Sequence, residues 1–330
     1  MKRVLSLSLM VALLGLLSLT STSRLFKNTA HAQNPSDSVE ERGAPETIRF
    51  RPNPHNQGDG FALTAGGTTA LSAITYHGGP LINTPSIYLI WYGNWNRGNG
   101  TDTPAGQQIV RDFASNVGGS NYYKINTAGY NAGGYTVSGN AIFGGETTTG
   151  YTYGTRLRDA NILSIVNDAL NSNALPRDAN GVYFVLTSSD VNEQSGFCTQ
   201  YCGWHTSASS SLMSNGRVRY SFVGNAARCL NSCAAQSTSP NGNPGVDAML
   251  SVVAHELEEA NTDPDPRSGW VDSGGAENAD KCAWTFGSHQ YQTANGSWAN
   301  MHLGTRDYLI QRNLAATNNK CYIDWVNQYQ

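Results

Sequence analysis

The chain carries little charge: only 14% of its 330 residues are Asp, Glu, Lys or Arg, and the formal net charge is -3. It has no cluster of Lys and Arg that could bind phosphates, which argues against nucleic-acid binding. After residue 19 it has no run of about 20 apolar residues, which argues against a membrane span in the mature chain. It also lacks the G-x-S-x-G turn of serine hydrolases and the G-x-x-x-x-G-K-[ST] phosphate loop.

Residues 1–32 have the pattern of a secretory signal peptide. Lys2 and Arg3 precede an apolar run over residues 4–19, and the segment ends in the small-x-small sequence Ala-His-Ala. Cleavage near Ala32 removes four basic residues and changes the formal charge from -3 to -7. The sequence therefore predicts an acidic exported protein that is periplasmic or extracellular.

All six cysteines lie in the predicted mature chain: Cys198, Cys202, Cys229, Cys233, Cys282 and Cys321. An even number of cysteines in an exported chain indicates disulfides, because no reducing thiol pool keeps them open outside the cytosol. We predict that the last two pair with each other, and that the other four pair within or between the two Cys-x3-Cys groups. The alternative is a zinc site formed by those four with His205.

The sequence indicates one folded domain over residues 61–330, preceded by a flexible polar linker over residues 33–60. Dense β-branched and aromatic runs predict buried strands over 86–92 and 182–187, and alternation of residue types predicts a third strand over 217–223. Helical spacing of apolar residues predicts helices over 103–117, 155–171 and 247–260, the last capped by Asp247. This order predicts an α+β fold with a mixed β-sheet, a helix that carries the chemistry, and a disulfide-pinned C-terminal lobe.

The last predicted helix contains the sequence His255-Glu256-Leu257-Glu258-Glu259. Residues four apart lie above one another on a helix, so His255 and Glu259 can contact one ion while Glu256 lies beside it. This is the spacing of the H-E-x-x-H zinc helix with Glu in place of the second His. Nine acidic residues lie between positions 247 and 280 against one Arg, and a cation relieves such crowding.

An open catalytic metal site needs a third protein ligand. We predict Glu277 in that position, with Asp280 or Asp263 as alternates. The expected chemistry is metal-assisted hydrolysis, in which the ion lowers the pKa of water and Glu256 accepts the proton as general base. Zinc is the expected ion, and calcium or manganese also suit a site with two carboxylate ligands.

Neighbouring polar residues have simpler interpretations. We expect Glu258 to be a solvated surface residue and His205 to make structural hydrogen bonds. His289 and His302 are further candidate ligands or oxyanion stabilisers. His255 can instead belong to a salt-bridged helix face that holds no ion.

Several segments together resemble the EXORDIUM or phosphate-induced protein 1 family, in order from about residue 74 to Cys321. They are residues 76–80 (YHGGP), 87–95 (IYLIWYGNW), 182–191 (VYFVLTSSDV), 197–205 (FCTQYCGWH) and 222–226 (FVGNA). The resemblance implies secretion, because members are secreted proteins of plant cell walls linked to growth responses, with relatives in bacteria. It implies no particular biochemical activity.

The helix motif departs from that resemblance, because plant members have an apolar stretch where this chain has His255, Glu256 and Glu259. Residues 255–264 (HELEEANTDP) and 277–284 (ENADKCAW) instead resemble exported bacterial proteins with a zincin-like helix. We therefore expect a bacterial-type member with a single zincin-like domain, acting as a metal-dependent hydrolase on a peptide or a cell-wall polymer. The alternative is a non-enzymatic cell-wall or signalling protein with a structural metal or none.

Overall fold

The computed structural model describes residues 72–330, so the predicted signal peptide at 1–32 and linker at 33–60 lie outside the described residues. The helices are α1 (Pro104–Asn116), α2 (Asp159–Asn171), α3 (Leu230–Cys233) and α4 (Pro244–Thr262). The strands are β1 (Thr75–Tyr76), β2 (Ser86–Tyr92), β3 (Ile142–Thr149), β4 (Arg156–Leu157), β5 (Gly181–Thr187), β6 (Asn192–Glu193), β7 (Gly203–Ser209), β8 (Arg217–Gly224), β9 (Trp270–Val271), β10 (Tyr291–Gln292), β11 (Trp298–Ala299), β12 (Met301–Leu303), β13 (Arg306–Tyr308), β14 (Asn313–Ala315) and β15 (Lys320–Tyr322). Among residues 72–330, no helix is long and apolar enough to cross a bilayer.

Five strands form the central sheet in the order β3-β2-β5-β8-β7. The first four are parallel, and β7 runs antiparallel to β8 at one edge. Every residue of β5 is buried, and since neighbouring side chains on a strand point to opposite faces, both faces of the sheet must be covered. α1 and α4 pack together on one face, while α2 packs against β5 and β8 on the other. The predicted mixed sheet within an α+β fold is confirmed.

The apolar patterns correctly predicted three strands of the sheet and three helices. The predicted strands correspond to β2, β5 and β8, and the predicted helices correspond to α1, α2 and α4. Thr103 lies just before α1, where its hydroxyl oxygen accepts a hydrogen bond from the backbone N–H of Gly106. Short strands and turns are predicted over residues 122–152, where the structure has β3. The polar strand β7 was not predicted, and it carries a residue of the candidate site.

The predicted start of α4 at Asp247 is wrong by one turn. Asn243 is the N-cap, because its side-chain oxygen accepts a hydrogen bond from the backbone N–H of Val246, and Pro244 occupies the first turn. Proline suits that place because its missing N–H would have no partner within the helix. Asp247 lies inside the first turn, and its carboxylate accepts hydrogen bonds from the backbone and side chain of Asn241.

Three disulfides join all six cysteines, in the pairs Cys198–Cys229, Cys202–Cys233 and Cys282–Cys321. The predicted pairing of the last two cysteines is confirmed, and the other four pair between the two Cys-x3-Cys groups. The alternative of a zinc site made by those four cysteines is wrong, because disulfide sulfurs have no thiolate to offer a metal. The predicted disulfide pins the C-terminal hairpins, whose buried residues such as Met301, Tyr308 and Ile323 belong to the main core.

Gly203, the first residue of β7, lies against α4 at a point where a side chain would not fit. A Cβ atom at this position would lie 2.6 Å from Cγ1 of Val252 on α4. The register pairs His205 of β7 with Ser221 of β8, so His205 shares the face of Gly203 and points at α4. The missing side chain therefore brings an imidazole within reach of the acidic residues of the helix.

Candidate metal centre

Six titratable side chains meet between α4, β7 and the segment that follows β9: His205, His255, Glu256, Glu259, Glu277 and Asp280. Within residues 72–330, two sets of three have ligand atoms that lie within 4.8 Å of one another. We call them the His205 group (His205, Glu259, Glu277) and the His255 group (His255, Glu259, Asp280). The predicted ligands His255, Glu259 and Glu277 are thus divided between two groups that share Glu259.

The His205 group brings three buried side chains within reach of one ion. Nδ1 of His205 lies 3.5 Å from Oε2 of Glu259, and Nε2 lies 3.7 Å from Oε1 of Glu277. Ligand atoms about 2.1 Å from a tetrahedral ion stand roughly 3.4 Å from one another. All three side chains are at most 1% exposed. The two distances involve different nitrogens of His205, so only the separation of Nδ1 from Oε2 matches two ligands of one ion. One ligand atom of each of the three side chains lies within 4.8 Å of the others.

A hydrogen bond to Asp263 fixes the His205 ring. Nε2 of His205 lies 3.2 Å from the backbone carbonyl oxygen of Asp263, and because a carbonyl only accepts, Nε2 must donate. In the neutral imidazole this leaves a lone pair on Nδ1, which faces Oε2 of Glu256 at 3.3 Å and Oε2 of Glu259 at 3.5 Å. A lone pair facing two carboxylates is unfavourable unless a proton or a cation lies between them.

The His255 group is more compact. Nε2 of His255 lies 2.8 Å from Oε1 of Glu259 and 3.5 Å from Oδ1 of Asp280. Oε1 of Glu259 also accepts a hydrogen bond from the backbone N–H of Asp280 at 3.0 Å. Asp280 is the most accessible of these side chains, at 11% exposed.

Asp263, the other alternate ligand, belongs to neither group. Its carboxylate accepts hydrogen bonds from the backbone N–H groups of Arg267, Ser268 and Gly269 at 2.5 to 3.0 Å. These hydrogen bonds hold the Asp263 side chain against the loop after α4. Only the backbone carbonyl of Asp263 contacts the cluster, through His205. Asp263 therefore positions His205.

The cluster shifts the pKa of each member in a direction set by its neighbours. Burial alone lowers the pKa of the His205 and His255 imidazoles, but the adjacent carboxylates outweigh it and hold both values well above the usual range. Burial raises the pKa of Glu256 to about 7 despite its contact with His205. Burial also acts to raise the pKa of Glu259, but the two imidazoles outweigh it and hold that value below the usual range. Positive charge at the histidines is thus strongly favoured.

The prediction that Glu258 is a solvated surface residue is wrong. Its side chain is 0% exposed, and burial holds its pKa well above the usual range. The error arises because residues 249–262 of α4 are all buried, whereas the prediction assumed one solvent-facing stripe. Glu258 belongs to neither metal group.

His289 and His302, the further candidates, also belong to neither group. The His289 ring stacks on Tyr329 with centroids 3.7 Å apart. Nδ1 of His302 lies 2.8 Å from Oδ1 of Asp307 in an exposed pair. Both have local partners of their own.

Sequence reasoning missed His205 as a site residue. The only local signal was its place after Cys202 and Gly203, and the cysteines suggested a different kind of metal site. Contact with Glu256 depends on the pairing of β7 with β8 and on the approach of α4, which no short sequence pattern encodes. The sequence of β7, GWHTSAS, offers only one weak signal, which is a single histidine in a mostly polar segment.

Known proteins match most of the chain. The profile of the phosphate-induced protein 1 conserved region matches residues 74–323. Protein EXORDIUM-like 3 of Arabidopsis thaliana is 29% identical over 282 residues, covering 74% of this chain and 81% of that protein. Protein EXORDIUM-like 5 of the same plant is 30% identical over 225 residues, which cover 60% of each chain. No solved structure gives a significant match.

Proposed function

The chain belongs to the phosphate-induced protein 1, or EXORDIUM-like, family, and from that premise we propose that it is an exported protein that binds a divalent cation through His205, Glu259 and Glu277. Export is supported by the three disulfides, which persist outside the reducing cytosol. The predicted signal peptide at residues 1–32 agrees with it. A zincin-like arrangement is part of the proposal and is supported by the position of α4 against a mixed sheet.

The observation that carries this proposal is the Nδ1 atom of His205, which faces Oε2 of both Glu256 and Glu259. In the described part of the chain, the ion pairs of these two glutamates are all with imidazoles. Buried carboxylates are costly unless paired or bound to a metal. The donor set of one imidazole and two carboxylates suits zinc, and also manganese.

Burial favours a structural role for the ion. His205, Glu256 and Glu259 are at most 1% exposed, whereas a catalytic metal keeps a position open to substrate. The three ligands come from β7, from α4 and from the segment after β9, so a cation would hold three separate parts of the fold together. The role that the geometry supports best is stabilisation of an exported, non-enzymatic protein.

Metal content tests the proposal. We expect the full secreted chain, purified without chelator and equilibrated with Zn²⁺, to retain Zn²⁺ through gel filtration when measured by mass spectrometry of the metal. Glu277→Gln should lose most of it, while Asp265→Asn should keep it, because Asp265 pairs with Arg217 and Arg219 outside both groups. A wild-type protein that retains neither Zn²⁺ nor Mn²⁺ nor Ca²⁺ would refute the proposal.

Hydrolysis is the second candidate, and the state of Glu256 favours it. Its pKa of about 7 is near the optimum for a general base at neutral pH, and its Oε1 atom has no hydrogen-bond partner. A bound divalent ion would supply Lewis acidity toward water or a carbonyl. We expect any turnover of peptides or cell-wall polymers to disappear in Glu256→Gln with metal content retained, and turnover that persists in this variant would exclude Glu256 as the base.

A further inference from the structure

We propose that the cluster is a two-cation centre in which the carboxylate of Glu259 bridges one ion in the His205 group and a second ion in the His255 group. The inference rests on the proposed function, because it assumes that the His205 group binds a divalent cation. It adds a second site, with His255 and Asp280 as ligands, and it assigns Glu259 a bridging role.

The first argument is the direction of the two oxygen atoms of Glu259. Oε2 lies 3.5 Å from Nδ1 of His205, while Oε1 lies 2.8 Å from Nε2 of His255. Each oxygen therefore faces a different imidazole. A carboxylate arranged in this way can hold two ions about 3.5 to 4 Å apart, which is the separation found in two-metal sites.

The second argument is the state of His255. The ring is fully buried, and neither nitrogen makes a hydrogen bond of acceptable geometry. Nε2 lies 2.8 Å from Oε1 of Glu259 and 3.5 Å from Oδ1 of Asp280, so its neighbours are carboxylate oxygens. A buried imidazole without hydrogen-bond partners is rare, and a metal at Nε2 would satisfy this nitrogen.

The third argument is the balance of charge. Two carboxylates, Glu259 and Glu277, serve the His205 group, Asp280 serves the His255 group, and Glu256 lies beside His205. These four side chains carry a formal charge of -4 when ionised, and with both imidazoles in the neutral, metal-binding form one divalent ion leaves half of it uncompensated in a buried site. Two divalent ions balance it with both imidazoles neutral, which is the form that binds metals.

Metal counting and magnetic resonance on the full secreted chain test this inference. We expect saturation with Zn²⁺ to give about two ions per chain, and saturation with Mn²⁺ to give an electron paramagnetic resonance spectrum of two coupled ions, since a carboxylate bridge holds them close. Asp280→Asn should reduce the count to about one and replace the coupled spectrum by that of an isolated ion. Asp265→Asn is the matched control and should retain two coupled ions.

The possible outcomes separate this inference from the proposed function. A wild-type chain that saturates at one uncoupled ion overturns the two-cation centre and leaves the proposed function intact. A chain that binds no ion overturns both. Because the wild-type count decides the question, the test does not depend on the folding of Asp280→Asn. If that variant folds and still binds two coupled ions, Asp280 is not a ligand and the proposed second site is wrong.

Discussion

Removal of the cation should lower the melting temperature of the protein by an amount that the structure allows us to estimate. An ion that binds only the folded chain stabilises it by about 4.1 kcal/mol when its free concentration is about 1,000 times its dissociation constant. Residues 72–330 are 259 residues, and an unfolding entropy of about 2.1 cal/mol/K per residue gives about 0.54 kcal/mol/K for them. The ratio predicts a decrease of about 7 to 8 °C on chelation.

Differential scanning calorimetry with and without chelator measures this decrease. Glu259→Gln should abolish the difference between the two conditions, because Glu259 belongs to both metal groups. The comparison uses the difference rather than the melting temperature itself, since this substitution also removes ion pairs with His205 and His255. Asp265→Asn should retain the wild-type difference. A wild-type melting temperature that is equal with and without chelator would show that no bound cation stabilises the fold.

Three further predictions concern the scaffold around the cluster. Replacing both Cys282 and Cys321 by Ser opens a loop of 39 residues, and urea unfolding should show a loss of about 4 kcal/mol from the entropy of loop closure. Gly203→Ala places a Cβ atom 2.6 Å from Val252, which should displace β7 and weaken Zn²⁺ binding about tenfold or more in calorimetric titration, with the far-ultraviolet circular dichroism unchanged. Burial raises the pKa of Glu193 from 4.5 to about 7, although the hydrogen bond from Tyr201 acts to lower it. Between these two pH values the native state binds more protons than the unfolded state, so the free energy of unfolding falls as the pH rises. Glu193→Gln should therefore raise the melting temperature at pH 8 and leave it unchanged at pH 4, and an equal effect at both pH values would contradict the assigned pKa.

Much of the fold could be predicted because its central strands are buried on both faces. β2 and β5 are continuous apolar runs, and short runs of that kind are typical of strands buried on both faces of a sheet. β7 could not be predicted in the same way, because its sequence GWHTSAS is mostly small and polar. Its burial comes from pairing with β8 and from contact with α4, which are tertiary effects that override local propensity.

The helical half of the candidate site could be predicted from spacing alone. His255 and Glu259 are four residues apart on α4, and Nε2 of the histidine lies 2.8 Å from the carboxylate. The other half could not, because His205 is 50 residues away in the chain and reaches Glu259 only through the edge strand. Periodicity also misassigned Glu258, since it assumes that a helix has a solvent-facing side.

Two disulfides lie close to the proposed ligands, and they bear on how a bound ion would contribute to stability. Cys202 lies three residues before His205 and pairs with Cys233, while Cys282 lies two residues after Asp280 and pairs with Cys321. These bonds restrain β7 and the segment after β9 independently of any ion. In small zinc domains the metal supplies the folding energy, because no site exists without it. Here the core and the disulfides hold the side chains of the site in place. We therefore expect the chain to fold without an ion, and we expect an ion that binds afterwards to add stability to the folded structure.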